Sequence, residues 1–205
     1  MAKGQSSSVL DPPDIYVARL TFEAVRRAEA MGIVESGSPR ADIAGIRQLA
    51  TRVGRAGVAA SAADIINNVE TPSREDLAKL LRMIIAALDA SPIPEYEWKG
   101  LARVFPPEDL AALLDVSLSS VKRYQSGDRD TPDPIAARLH FLALVVGDLA
   151  GSYNETGIRR WFQRKRTLLD GRAPAALLKH DWDPDDEGPM RVRELARSLV
   201  TMSGT

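Results

Sequence analysis

The chain is predicted to be all-α, and three observations predict it. Apolar residues recur at three- and four-residue spacing through most of the sequence, as on one face of a helix. Glycine and proline fall between these stretches rather than inside them. No β-rich segment of any length interrupts the pattern. The 205 residues suit one or two domains, and a hydrophobic fraction of 44% is enough for a packed core.

Composition excludes several functions. The absence of cysteine removes disulfides, thiolate metal sites and a cysteine nucleophile. No apolar run is long enough to span a bilayer. The opening MAKGQSSSVLDPPD carries no apolar signal segment, so a cytoplasmic location is expected. The net charge is −1, so the protein does not coat nucleic acid by bulk charge. Any DNA contact needs a local basic face, doubled by dimerisation.

Residues 1–14 read as a flexible tail. Helix one runs from Ile15 to Met31, with Val17, Leu20, Ala24 and Ala28 along one stripe and Phe22 and Val25 beside it. After ESGSPR, Ile43, Ile46, Ala50 and Val53 mark a second helix ended by Gly54 and Gly57. Ser61 is the expected cap of a short third helix through Val69. In TPSREDLAKLLRMIIAALDA, Ser73 is the expected N-cap, Glu75 and Asp76 favour the positive helix end, and Leu77, Leu80, Leu81, Ile84 and Leu88 form the buried stripe. The prolines of SPIPEYE mark a boundary. The expected division is therefore a helical N-terminal region at 15–95, a DNA-binding unit at 96–151 and a C-terminal unit at 152–205.

The stretch LAALLDVSLSSVKRYQSG, Leu110 to Gly127, reads as two helices around a tight corner. Leu110, Leu113 and Leu114 give the first helix its apolar face. Asp115 tolerates the left-handed backbone of the turn. Ser117 is the expected N-cap of the second helix, Val121 and Tyr124 point back to the first, and Gly127 supplies a left-handed stop. The pattern resembles the helix-turn-helix of Xre-type regulators, with Asp115 in place of the usual turn glycine. In such a motif the second helix enters the major groove. The outward set is then Leu118, Ser119, Ser120, Lys122, Arg123 and Gln125. Ser119 and Ser120 suit a phosphate, Lys122 and Arg123 a phosphate or guanine, and Gln125 an adenine.

Asp133 and Pro134 open a helix that is apolar nearly all round, from Ile135 to Leu149. Such a helix is central to a core or forms a dimer interface, and a homodimer partly through this helix is expected. Beyond it, GIRRWFQRKRTLLDGRAPAALL (157–178) leads through an acidic loop, DWDPDDEGP, to a last helix with Val192, Leu195 and Leu199 on one face. Trp161, then basic residues, then Leu169, Gly171, Arg172 and Pro174, then Leu177 and Leu178, resemble the toxin-binding domain of Xre/MbcA/ParS-type antitoxins. The order, an Xre-like helix-turn-helix followed by this unit, also matches that family. The likeness covers about residues 98–200. It departs in two places: residues 1–97 are an extension that short family members lack, and Asp170 stands where the family often has glycine.

The resemblance implies an antitoxin, not an enzyme, with no cofactor. Its partner would be a RES-domain toxin that consumes NAD, and the complex would repress its own operon through operator DNA. On this likeness Trp161, Gly171, Arg172, Pro174, Arg191, Arg193 and Arg197 are the toxin-binding candidates. Residue chemistry alone leaves the bland readings open. The cluster Arg159, Arg160, Arg164, Lys165 and Arg166 also fits a solvated helix face. Trp161 and Phe162 also fit a core, as does His140 in its apolar helix. The acidic run after His180 fails as a calcium loop, because Asp186 replaces the turn glycine and Val192 the bidentate glutamate. No phosphate loop, zinc signature or Ser-His-Asp spacing is found. A stand-alone dimeric helix-turn-helix regulator without a toxin is the second class the sequence allows.

Overall fold

A computed structural model describes residues 15–35, 37 and 40–202. The tail expected at residues 1–14 lies outside them. Among the described residues all regular structure is helical: ten α-helices and two short 3₁₀ turns, with one isolated bridge between Arg166 and Arg172. The helices are α1 (Ile15–Ala30), α2 (Ile43–Arg55), α3 (Ala60–Asn68), α4 (Arg74–Ala90), α5 (Pro94–Val104), α6 (Pro107–Leu114), α7 (Leu118–Ser126), α8 (Asp133–Leu149), α9 (Glu155–Gln163) and α10 (Glu187–Met202).

Local chemistry sets most of the boundaries. Asp42 caps α2 by accepting from the Gly45 amide, and Ser73 caps α4 by accepting from Asp76. Proline opens α5, α6 and α8 in the first turn, where no amide donor is missed. Ser61 is not a cap: α3 starts one residue earlier, after Ala59 in a left-handed conformation. Gly54 lies inside α2, and Gly57 at φ +79° makes the turn after it. On α1 the expected stripe is buried, but Phe22 is half exposed.

The apolar helix α8 is the axis of the molecule. It is surrounded within one chain by α1, α5, α6 and α10. Reading it as a dimer interface is thereby corrected: its apolar circumference is already covered. One buried cluster draws on all three sequence segments, from Val17 in α1 to Ala196 in α10. The junction at SPIPEYE is especially close. Gly32, at φ +77°, and Gly100 face each other so tightly that a Cβ on Gly100 would lie 2.2 Å from the Ala30 carbonyl oxygen. Only glycine lets these two backbones meet.

Two polar groups tie α8 to its neighbours. His140 Nδ1 lies 2.6 Å from Glu97 Oε1 on α5, and Nε2 donates to the Asp89 carbonyl at the end of α4. Burial pulls the His140 pKa down, but the bond to Glu97 outweighs it and holds the imidazole above its ordinary value. Burial pushes Glu97 up as well. The pair therefore keeps a proton more strongly than either group would in water.

Candidate nucleic-acid interface and C-terminal surface

The corner at α6–α7 has the expected geometry. Asp115 closes α6 in a left-handed conformation (φ +56°), Ser117 accepts from the Ser120 amide at 3.1 Å, and Gly127 (φ +77°) ends α7. Val121 and Tyr124 are buried against the scaffold, and Tyr124 stacks on Trp98 of α5 with ring centroids 5.9 Å apart. These contacts fix the rotation of α7. Ser119, Lys122, Arg123 and Ser126 then form an exposed row at helical spacing.

Two predicted members depart from that row. Ser120 is half buried and its hydroxyl pairs with Ser117. Gln125 is half buried and faces a cavity of about 410 Å³ beside Trp98, away from the open row. Ser126, not singled out from the sequence, occupies the outward position one turn past Lys122. The charge around the corner is acidic. From residues 107 to 133, Lys122, Arg123 and Arg129 stand against Glu108, Asp109, Asp115, Asp128, Asp130 and Asp133.

The acidic loop after His180 exposes its aspartates but is anchored to the scaffold through Trp182. The Trp182 indole is buried, donates to the Leu113 carbonyl at 3.0 Å and packs edge-on against Phe141, centroids 5.2 Å apart. The Asp181 amide donates to the Asp115 carboxylate at 2.8 Å, inside the helix-turn-helix turn itself. Arg138, buried in α8, donates to the carbonyls of Leu114 and Trp182 and to the Asp181 carboxylate. A buried guanidinium requires such partners. The sequence signal was there: an arginine inside an apolar helix, and a lone tryptophan among aspartates.

The C-terminal candidates divide into two groups. Trp161 is 1% exposed and packs against Phe162 beneath the Arg166 guanidinium. Pro174 is buried in a 3₁₀ turn, Pro174–Ala176. Both are core residues and cannot touch a partner directly. Arg193 and Arg197 turn inward: both approach Asp89 of α4, at 3.5 and 3.3 Å, and Arg197 also approaches the buried Asp148 of α8. Burial raises the Asp148 pKa, against the pull of Arg27 and Arg197. Of these two partner candidates, Arg193 is mostly covered and faces Asp89, while Arg197 pairs with the same carboxylate and keeps about half of its side chain exposed.

Gly171, Arg172 and Arg191 remain at the surface or near it. Asp170 (φ +55°) and Gly171 (φ +73°) close a small hairpin from Arg166 to Arg172. Aspartate can stand where a second glycine might, because it tolerates this left-handed conformation. Arg191 clamps the hairpin, donating to the Asp170 carboxylate at 2.8 Å and to the Leu168 carbonyl at 3.0 Å. The Asp170 carboxyl is held below its usual range by that hydrogen bond. At the tip Leu168 is 72% exposed, and Met190, next to Arg191, is 58% exposed. Of the basic cluster, Arg159 donates to the Val104 carbonyl, while Arg160, Arg164 and Lys165 are exposed.

Compared with protein-family models, with curated proteins and with solved structures, the chain finds no match in any of the three.

Proposed function

We propose that the chain is an antitoxin that neutralises a RES-domain, NAD-consuming toxin and binds operator DNA to repress its own transcription. The observation that carries this reading is the fastening of the C-terminal loop to the helix-turn-helix turn, through Asp181 to Asp115 and Trp182 to Leu113. The loop that follows the proposed partner surface is thereby joined to the proposed DNA-reading corner, so both proposed surfaces belong to one packed body. The DNA-reading row is Ser119, Lys122, Arg123 and Ser126. The partner surface is the hairpin Arg166–Arg172 with Leu168 at its tip, flanked by Met190 and Arg172. An apolar centre with a polar rim is the usual make-up of a protein contact, and arginine is enriched there. Operator recognition by a homodimer, with α7 helices about one DNA turn apart, belongs to the proposal; its interface lies elsewhere than α8.

The second reading, a stand-alone regulator, is favoured by one observation: Arg193 and Arg197 are engaged inside the chain rather than free for a partner. Co-expression separates the two. The chain is produced with the reading frame beside its own gene and purified by size exclusion. A stable complex with a RES-domain protein, lost in Leu168→Glu, supports the antitoxin. Its absence, with DNA upstream of the gene still bound, supports the regulator. Failure of Lys122→Ala with Arg123→Ala to weaken binding to that DNA would sink the role of α7 in both.

A further inference from the structure

A second corner of the same build stands in the N-terminal region. α2 and α3 are joined by Ala56–Ala59, in which Gly57 and Ala59 both take left-handed backbone, at φ +79° and +50°. The helices cross closely, because a Cβ on Gly54 would lie only 3.1 Å from that of Ala63. Ala50, Val53, Ala62 and Ile66 are buried in this half of the molecule. Arg47 fastens the far end of α3, donating to the carbonyls of Val69 and Glu70 at 2.7 and 3.0 Å. α3 is thus rigidly presented.

Its outer face is chemically suited to base edges. Ser61, Asp64, Ile65 and Asn68 recur at helical spacing and are all exposed, with Asn67 beside them. Asparagine pairs with adenine, aspartate accepts from cytosine, and an aliphatic group meets the thymine methyl. Ile65 is 47% exposed. Next to this face lies a cationic strip. Thr51 is 3.4 Å from Asn67, and it lines an open cavity of about 500 Å³ with Gln48, Arg52, Arg55 and Tyr96. Arg52 and Arg55 are exposed, and their side chains have no hydrogen bond or ion pair among the described residues.

Of the four arginines between residues 40 and 70, Arg40 pairs with Asp42 and Arg47 with the carbonyls of Val69 and Glu70, which leaves Arg52 and Arg55 as the uncommitted cations beside α3. Two such cations suit an occupant that carries phosphate, whereas α6–α7 is acidic. Phosphate contacts supply most non-specific affinity for duplex DNA, and the α6–α7 corner has few cations to make them. We propose that α2–α3 is a second DNA-reading corner, with the outer face of α3 in the major groove and Arg52 and Arg55 on the phosphate backbone. The chain then carries two reading helices, with Arg52 and Arg55 of α2 supplying phosphate contacts that the α6–α7 corner lacks.

The test uses the full chain and a fluorescein-labelled mixed-sequence duplex several helical turns long, followed by anisotropy over a salt series. Arg52→Ala with Arg55→Ala alters only exposed side chains, and unchanged circular dichroism checks the fold. The double variant should bind about tenfold or more weakly and lower the slope of log affinity against log salt by about two. Asn67→Ala with Asn68→Ala should keep the slope and flatten the preference among sequences selected from a random pool. Wild-type affinity and slope in the arginine variant, with binding lost in Lys122→Ala/Arg123→Ala, would overturn the second corner and leave α7 standing. Loss in the arginine variant alone would leave α3 standing and remove α7. No duplex binding by the wild type would end both.

Discussion

The indole Nε1 of Trp182 donates to the carbonyl oxygen of Leu113 at 3.0 Å, joining the C-terminal loop to the last turn of α6. That carbonyl lies at a helix end, where it has no partner within the helix. Trp182→Phe should keep the packing on Phe141 and lose the bond, costing about 1–3 kcal/mol for the unsatisfied oxygen. Trp182→Ala should cost about 3–5 kcal/mol through the cavity it leaves. Urea unfolding of both variants measures the difference; a Trp182→Phe variant as stable as the wild type would mean that the hydrogen bond contributes nothing.

The pair His140–Glu97 predicts a pH dependence of stability. Both pKa values are raised in the folded chain, so the folded state holds more protons than the unfolded one. Stability conferred by such groups is full below their unfolded pKa and is lost as pH rises through the folded one. For His140 the loss begins near its ordinary value of about 6.5. Urea midpoints should therefore fall between neutral and mildly alkaline pH. Glu97→Gln can donate an amide hydrogen to Nδ1 and carries no charge, so it should flatten the profile. A wild-type midpoint that rises across this range would contradict the assignment.

Two glycines should respond in opposite directions to alanine. Gly100→Ala forces a methyl group into the backbone of α1 and should cost at least about 1–3 kcal/mol. Gly188 lies in the first turn of α10, and a Cβ there would meet Leu177 at an ordinary 3.6 Å. Gly188→Ala should stabilise by about 0.5–1 kcal/mol. Thermal melts of the two variants, shifted down and up respectively, check the packing of α1 on α5 and of α10 on the loop.

The last third of the chain should not fold alone. The Trp182 indole is satisfied by α6, and Val192 and Ala196 of α10 are buried where that helix packs on α8. A fragment from Ser152 onward should show little helix by circular dichroism. In the full chain, Asp89→Ala leaves Arg27, Arg193 and Arg197 crowded without their shared carboxylate. It should cost about 1–3 kcal/mol, discounted for partial exposure, and speed hydrogen exchange in α10. Unchanged exchange there would show that the ion cluster does not hold the helix.

What the sequence by itself determined was local. Apolar spacing gives the helices, and short-range chemistry gives their ends: Ser73 and Ser117 accept from amides three residues on, and Asp115, Gly127 and Gly171 take left-handed turns. These interactions span a few residues, so the order of residues suffices to reveal them. Tertiary structure decided which faces remain open. It buried Trp161 and Pro174, turned Arg193 and Arg197 onto Asp89 and turned Gln125 away from the open row. It also covered the apolar circumference of α8 with helices from both ends of the chain. None of this follows from periodicity, because a helix stripe records that a face is buried and not what buries it. A cation on a helix is equally at home facing water or a carboxylate many residues away. Only packing fixes the distance between Arg193 and Asp89, and that distance determines whether the arginine is available to a partner.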